Sequence, residues 1–179
     1  KEGSNISSLQ DLAGKTVGFA DPLSASGSLY PLAMIKEAGL SVPDEPGSPA
    51  GADFTPKWSD HFAAVEALKS GTVDAAGVGY FAATNDQLEY QSGLREVKRD
   101  TGIPRAPIMV SPRLSDEEKE TIQTAFTEAP DDLYYGKDGQ DGTDDDLWFT
   151  KVRPADAETY QPVVEKAKSL GYGTDVFES

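Results

Sequence analysis

The residues best suited to chemistry are the serines and glycine of FADPLSASGSLYP (19–31), which directly follow an apolar run, and a single histidine, His61, in SDHFAAVEALKSG (59–71). A strand feeding a small-residue loop and then a helix leaves backbone N–H groups unpaired at the helix start, where the helix dipole adds partial positive charge. The hydroxyls of Ser24, Ser26 and Ser28 can donate further hydrogen bonds, and Gly27 lets the backbone approach a ligand closely. Such a donor set suits a tetrahedral oxyanion. The plainer reading makes Ser26 or Ser28 an N-cap and the rest turn chemistry. No Walker lysine follows the loop, and position 24 holds serine where a GxSxG nucleophile elbow needs glycine. An enzymatic alternative remains, with Ser24 or Ser26, His61 and Asp74 as a hydrolytic set, and a protein–protein module is a third reading. A lone histidine is more often a surface or capping residue than a ligand group. Here it sits in the first turn of an expected helix, beside free amides. Two helix starts then converge on one anion if their strands end at the same sheet edge.

The elements that must position these residues alternate short β-like runs with amphipathic helices, the pattern of a layered α/β domain with parallel pairing. KTVGFA (15–20) reads as a strand and LYPLAMIKEAG (29–39) as a helix closed by Gly39. Pro31 is tolerable only near a helix start, which places that start between Ser26 and Tyr30. SVPDEPGSPAGADFTP (41–56) is too rich in Pro and Gly for an element and reads as a loop joining helix to strand. The helix over 59–71 has Ser59 or Asp60 as N-cap and Gly71 after its last turn. VDAAGVGYF (73–81) reads as a buried strand, LREVKRD (94–100) as a short exposed one, and IPRAPIMVSP (103–112) as a proline-bounded extended segment. LSDEEKETIQTAFTEA (114–129) is a helix with a Ser115–Glu118 capping box, and DAETYQPVVEKAKSLGYG (156–173) a last helix in which Pro162 is a breaker.

The 179 residues carry 31 acidic and 16 basic side chains, a net charge of −15 that opposes nucleic acid and acidic lipid as partners. Such a composition suits high salt, where screening weakens self-repulsion. Absence of cysteine excludes disulfides, thiolate metal sites and cysteine nucleophiles. No run reaches the roughly 18 apolar residues of a membrane span, and KEGSNISSLQ lacks the apolar segment of a signal peptide. The acidic stretch 131–148 offers Asp138, Asp141, Asp144, Asp145 and Asp146 as hard oxygen ligands. No register there gives an EF-hand loop, so a solvated loop is the expectation, with no metal and no cofactor.

The order ISSLQDLAGKTVGFADPLSASGSLYP, SDHFAAVEALKSGTVDAAGV, TGIPRAPIMV resembles the phosphonate, phosphite and phosphate solute-binding proteins of ABC importers, the PhnD-like family. In that family a DLxGK stretch precedes a strand, a Ser/Thr-x-Ser-Gly loop grips the phosphoryl oxygens, and a histidine opening a helix joins them. The resemblance carries these roles to Ser24, Ala25, Ser26 and Gly27 and to His61, and the family's S/T-x-IP segment brings Thr101 near the ligand. It implies a periplasmic-binding-protein type II-like layered sheet with flanking helices, one lobe complete (8–102) and the other partial (103–179). It further implies binding of a small oxyanion without chemistry, an ABC permease as partner and an extracytoplasmic location. The chain departs from the family in three places. It begins near the second lobe, so the apolar faces of 103–179 are expected to be covered by self-association, by a companion chain, or by folding back onto the lobe formed by the first hundred residues. Ser59 and Asp60 precede His61, and Phe62 replaces the usual acid. Gly79, Tyr80 and Phe81 stand where aminoalkyl-phosphonate binders place an acid, which leaves an amino group without an evident partner.

Overall fold

A computed structural model describes residues 3–85, 89–134 and 151–173. The chain divides into two compact units, Lys1–Pro104 with Tyr160–Ser179, and Arg105–Thr159. In chain order the strands and helices are β1 (Thr16–Phe19), α1 (Tyr30–Glu37), β2 (Thr55–Trp58), α2 (His61–Ser70), β3 (Ala75–Gly77), α3 (Tyr80–Ala83), α4 (Asp116–Thr127) and α5 (Gln161–Leu170).

The first unit is a parallel α/β structure with sheet order β2-β1-β3. β1 is central because its residues are apolar on both faces: Val17, Gly18 and Phe19 are all buried. The Phe19 ring is fully buried against Phe54 and Trp58, at centroid distances of 6.0 and 6.1 Å. β2 starts in the last two residues of the Pro/Gly-rich stretch expected to be the loop joining helix to strand. Pro56 is compatible with it because β2 is an edge strand that, among the described residues, pairs with β1 alone, so a missing N–H can face outward. β3 is shorter than the expected strand over 73–81. Its ladder ends at Gly77, and two residues later Gly79 caps α3.

The Leu9–Leu12 turn ahead of β1 is fixed by Asp11, whose carboxylate accepts from the Ser7 and Ser8 amides at 2.8 and 2.9 Å. Those bonds hold its carboxyl at about 2. α5 packs on α1, with Lys36 Nζ donating to the Ser169 carbonyl and Lys166 Nζ to Glu37, both at 2.8 Å. Pro162 falls in the first turn of α5, where an N–H would have no intrahelical acceptor. The helix therefore begins at Gln161 rather than near Asp156.

Residues 94–100, expected as a strand, form no ladder among the described residues. Side chains hold this segment instead: Arg99 stacks its guanidinium 4.2 Å from the Tyr80 ring centroid and donates to Glu96 at 2.7 Å. Glu96 in turn accepts from the Tyr90 hydroxyl.

In the second unit, α4 carries the expected capping box. Ser115 Oγ accepts from the Glu118 amide at 3.2 Å, and the Glu118 carboxylate accepts from the Ser115 amide at 2.8 Å. Residues 105–110 have no ladder partner among the described residues, and Ile108, Met109 and Val110 are exposed. The acidic ligand candidates Asp138 to Asp146 lie outside the described residues.

Candidate functional site

Register places the carboxyl ends of the strands side by side: Phe19 pairs with Trp58 on one flank and with Gly77 on the other. The segments that follow, Ala20–Gly27, Ser59–His61 and Val78–Phe81, therefore leave the sheet along one edge. Open parallel sheets gather ligands at this edge, because the helix starts that follow the strands turn their free amides there.

The serine loop enters α1 through a wide π-type turn over Ala25–Leu29. Ser24 caps it: its Oγ accepts from the Gly27 amide at 3.2 Å, and its carbonyl accepts from the amides of Ser28 and Leu29 at 2.9 and 3.0 Å. Ala25 and Ser26 head the turn, where no earlier turn supplies carbonyls to their N–H groups. The Ser26 hydroxyl takes no part in these internal bonds. Ser28, expected as a third donor, points inward instead. It is fully buried, and its Oγ donates to the Asp21 carbonyl at 2.7 Å, which closes the loop. Gly27 is required by crowding rather than by its backbone angles, since a Cβ there would lie 2.3 Å from the Ala20 Cβ and 2.7 Å from His61 Cε1.

That crowding brings in the histidine. His61 Nε2 lies 3.4 Å from Ser24 Oγ, and Nδ1 accepts from the Gly79 amide at 2.9 Å. A backbone N–H can bond to Nδ1 only if that nitrogen carries no proton, so the neutral ring has its proton on Nε2, facing the serine loop. Burial pushes the imidazole pKa below its usual value, and the nearby Asp60 charge opposes the shift only in part. The free amides expected at the start of α2 are absent for Phe62 and Ala63. Both donate to Asp60 Oδ1 at 2.9 Å, so Asp60, not Ser59, is the N-cap.

A pH dependence follows from this geometry. The folded pKa of His61 lies below its unfolded value of about 6.5, so the unfolded chain binds the proton more readily. Stability contributed by the neutral ring is therefore present above about pH 6.5 and is lost as pH falls through the folded pKa. Denaturant titrations between pH 7.5 and 5.5 are expected to show a component of this loss in the wild type that is missing in His61→Gln; the same slope in both would rule the coupling out.

The edge thus assembles Ser24, Ala25, Ser26, Gly27 and His61. Thr101 is not brought to them by any hydrogen bond among the described residues. It is exposed, in a turn where the Gly102 amide donates to Asp100 Oδ1 at 2.8 Å. Gly79 was not assigned a part from the sequence, although its amide sets the histidine tautomer. The available signal was a glycine two residues beyond a strand end on the same sheet edge. Among the described residues no group of three or more His, Asp or Glu is arranged to hold a metal, and no helix is long and apolar enough to cross a membrane.

A parallel sheet with converging helix starts at its carboxyl edge defines an α/β protein of the kind that holds ligands outside the strand ends. The family model for the phosphonate periplasmic substrate-binding proteins of ABC transporters matches residues 1–160, and the chain belongs to that family. No curated protein matches the chain. Membership makes it a transport component of the extracytoplasmic, substrate-binding kind.

Proposed function

We propose that the chain captures a phosphonate, phosphite or phosphate-like oxyanion at the edge formed by Ser24, Ala25, Ser26, Gly27 and His61, and delivers it unchanged to an ABC permease. The fold reading that goes with this is a periplasmic-binding-protein type II-like lobe, with Thr101 near the ligand. A single observation carries the proposal: His61 Nδ1 accepts from the Gly79 amide, so the Nε2 proton lies on the side of Ser24, 3.4 Å from its Oγ, at the loop whose turn Ala25 and Ser26 head. Neutral N–H and O–H donors of this kind suit an anion whose charge must be balanced without a cation.

The same observation counts against hydrolysis. A triad base must accept the serine proton at Nε2 while a carboxylate holds the Nδ1 proton, and here both nitrogens have the opposite roles. Asp74, the candidate acid, accepts instead from the Thr16 amide at 2.8 Å.

The test is calorimetric titration of the full chain with phosphate, phosphite and methylphosphonate, with Ser26→Ala alongside. Loss of one hydrogen bond to an anion is expected to weaken binding by about 1.4 kcal/mol, roughly tenfold. Unchanged affinity in Ser26→Ala would reduce Ser26 to a turn residue, and no heat with any of the three anions would overturn capture itself.

A further inference from the structure

Residues 3–12, which lead into β1, carry a pattern that anion capture does not use: Asn5-Ile6-Ser7, an asparagine with a hydroxyl two residues on and no proline between. The chain has only two asparagines, and Asp86 and Gln87 after Asn85 break the same pattern at the other. Asn5 and Ser7 are exposed, on either side of the buried Ile6. The backbone that presents them is held in place. Arg95 Nη2 donates to the carbonyls of Ser4 and Ile6, and the Ser7 and Ser8 amides donate to Asp11 Oδ2 at 2.8 and 2.9 Å. Within that frame the Asn5 carboxamide has no hydrogen-bond partner among the described residues. The segment also lies clear of the serine loop. Gln10 Nε2 donates to the Ala38 carbonyl at the end of α1, at 3.2 Å, whereas the serine loop stands at the start of that helix. A bulky group on Asn5 therefore leaves the carboxyl edge of the sheet open.

We propose that Asn5 is an N-glycosylation site, to which a transferase moves an oligosaccharide from a lipid diphosphate carrier. The family places the chain on the extracytoplasmic side of the membrane, where glycans of this kind are attached. In the transfer, Asn5 Nδ2 forms a bond to the anomeric carbon of the glycan. The anomeric C–O bond breaks, its electron pair leaves with the lipid diphosphate, and Nδ2 gives up one of its two protons to the transferase. The Ser7 hydroxyl is the group that the pattern requires at its third position. In the fold it donates to Asp11 Oδ2 at 3.0 Å, an exposed bond that opens when the transferase engages the segment.

The experiment is mass spectrometry of the full chain recovered from the extracytoplasmic side of the cells that make it, alongside Asn5→Gln, Ser7→Ala and Ser7→Thr produced in the same cells. Trypsin releases residues 2–15 as one peptide, by cleavage after Lys1 and Lys15. In the wild type this peptide is expected to carry a sugar mass on Asn5 in most molecules. Asn5→Gln and Ser7→Ala are expected to lose that mass, and Ser7→Thr, which restores the hydroxyl, to keep it. A wild-type peptide of unmodified mass would overturn the inference. So would a sugar mass that persists in Asn5→Gln, since the glycan would then sit on a serine, or one that persists in Ser7→Ala. A chain found only inside the cell would overturn it together with the location. Phosphonate titration of the same preparations reads anion capture separately, so the two proposals fail independently.

Discussion

Gly27→Ala is expected to damage fold and binding at once, and more severely than any other single methyl at the site. The new Cβ would sit 2.3 Å from the Ala20 Cβ, which is fixed to the backbone and cannot move aside, and 2.7 Å from His61 Cε1. Overpacking of this kind costs about 1 to 3 kcal/mol, which corresponds to a drop of several degrees in melting temperature. If the strain is relieved by rotating the imidazole, the Gly79 bond breaks and Nε2 no longer faces Ser24. Gly18→Ala is the matched control, because its nearest neighbour would be Val73 Cγ2 at 3.4 Å, an ordinary contact that a small shift accommodates. Thermal melts together with phosphonate titration read both effects. A Gly27→Ala protein that melts within a degree of the wild type and binds as well would show that the loop and His61 are not packed as described.

His61→Ala is the second large effect. It removes the Nε2 donor and leaves the Gly79 amide without its acceptor, so affinity for a phosphonate is expected to fall by roughly ten- to hundredfold, the equivalent of about 1.5 to 3 kcal/mol for a hydrogen bond to a charged group. His61→Gln can place an amide N–H near the Nε2 position and should recover part of the loss, because the donor returns even though the link to Gly79 does not. Affinity within threefold of wild type in the alanine variant would remove His61 from the binding set.

Much of this was legible in the sequence, for reasons that differ from element to element. β1 announced itself because a strand buried on both faces must be continuously apolar, and α2 because an Asp cap and a left-handed Gly71, φ 82°, bracket it. The serine loop and His61 met because two strand-to-helix crossings in one parallel sheet must open at the same edge. β2 was hidden by Pro56, which an edge strand tolerates and a central one does not. β3 was overextended because periodicity cannot tell that the Gly79 amide is drawn to an imidazole 18 residues back instead of staying in the ladder. The segment 94–100 reads as a short exposed strand, yet Arg99, Glu96 and Tyr90 satisfy one another without one. The tautomer of His61 depends on a contact between elements far apart in sequence and has no local signature at all.

The seating of α5 on α1 has a consequence for how the protein is made. Lys36 and Ser169, which join the two helices, are 133 residues apart, and the whole second unit is synthesised between them. A nascent chain that has completed β1, β2 and β3 still presents one face of α1 uncovered until residues beyond 160 leave the ribosome. Contacts of such long range carry a large loop-closure cost and slow the final step of folding. The sheet that carries the Ser24–His61 edge therefore waits, partly assembled and with apolar surface open, for a helix encoded far downstream, and this interval is when the chain is most exposed to misassembly.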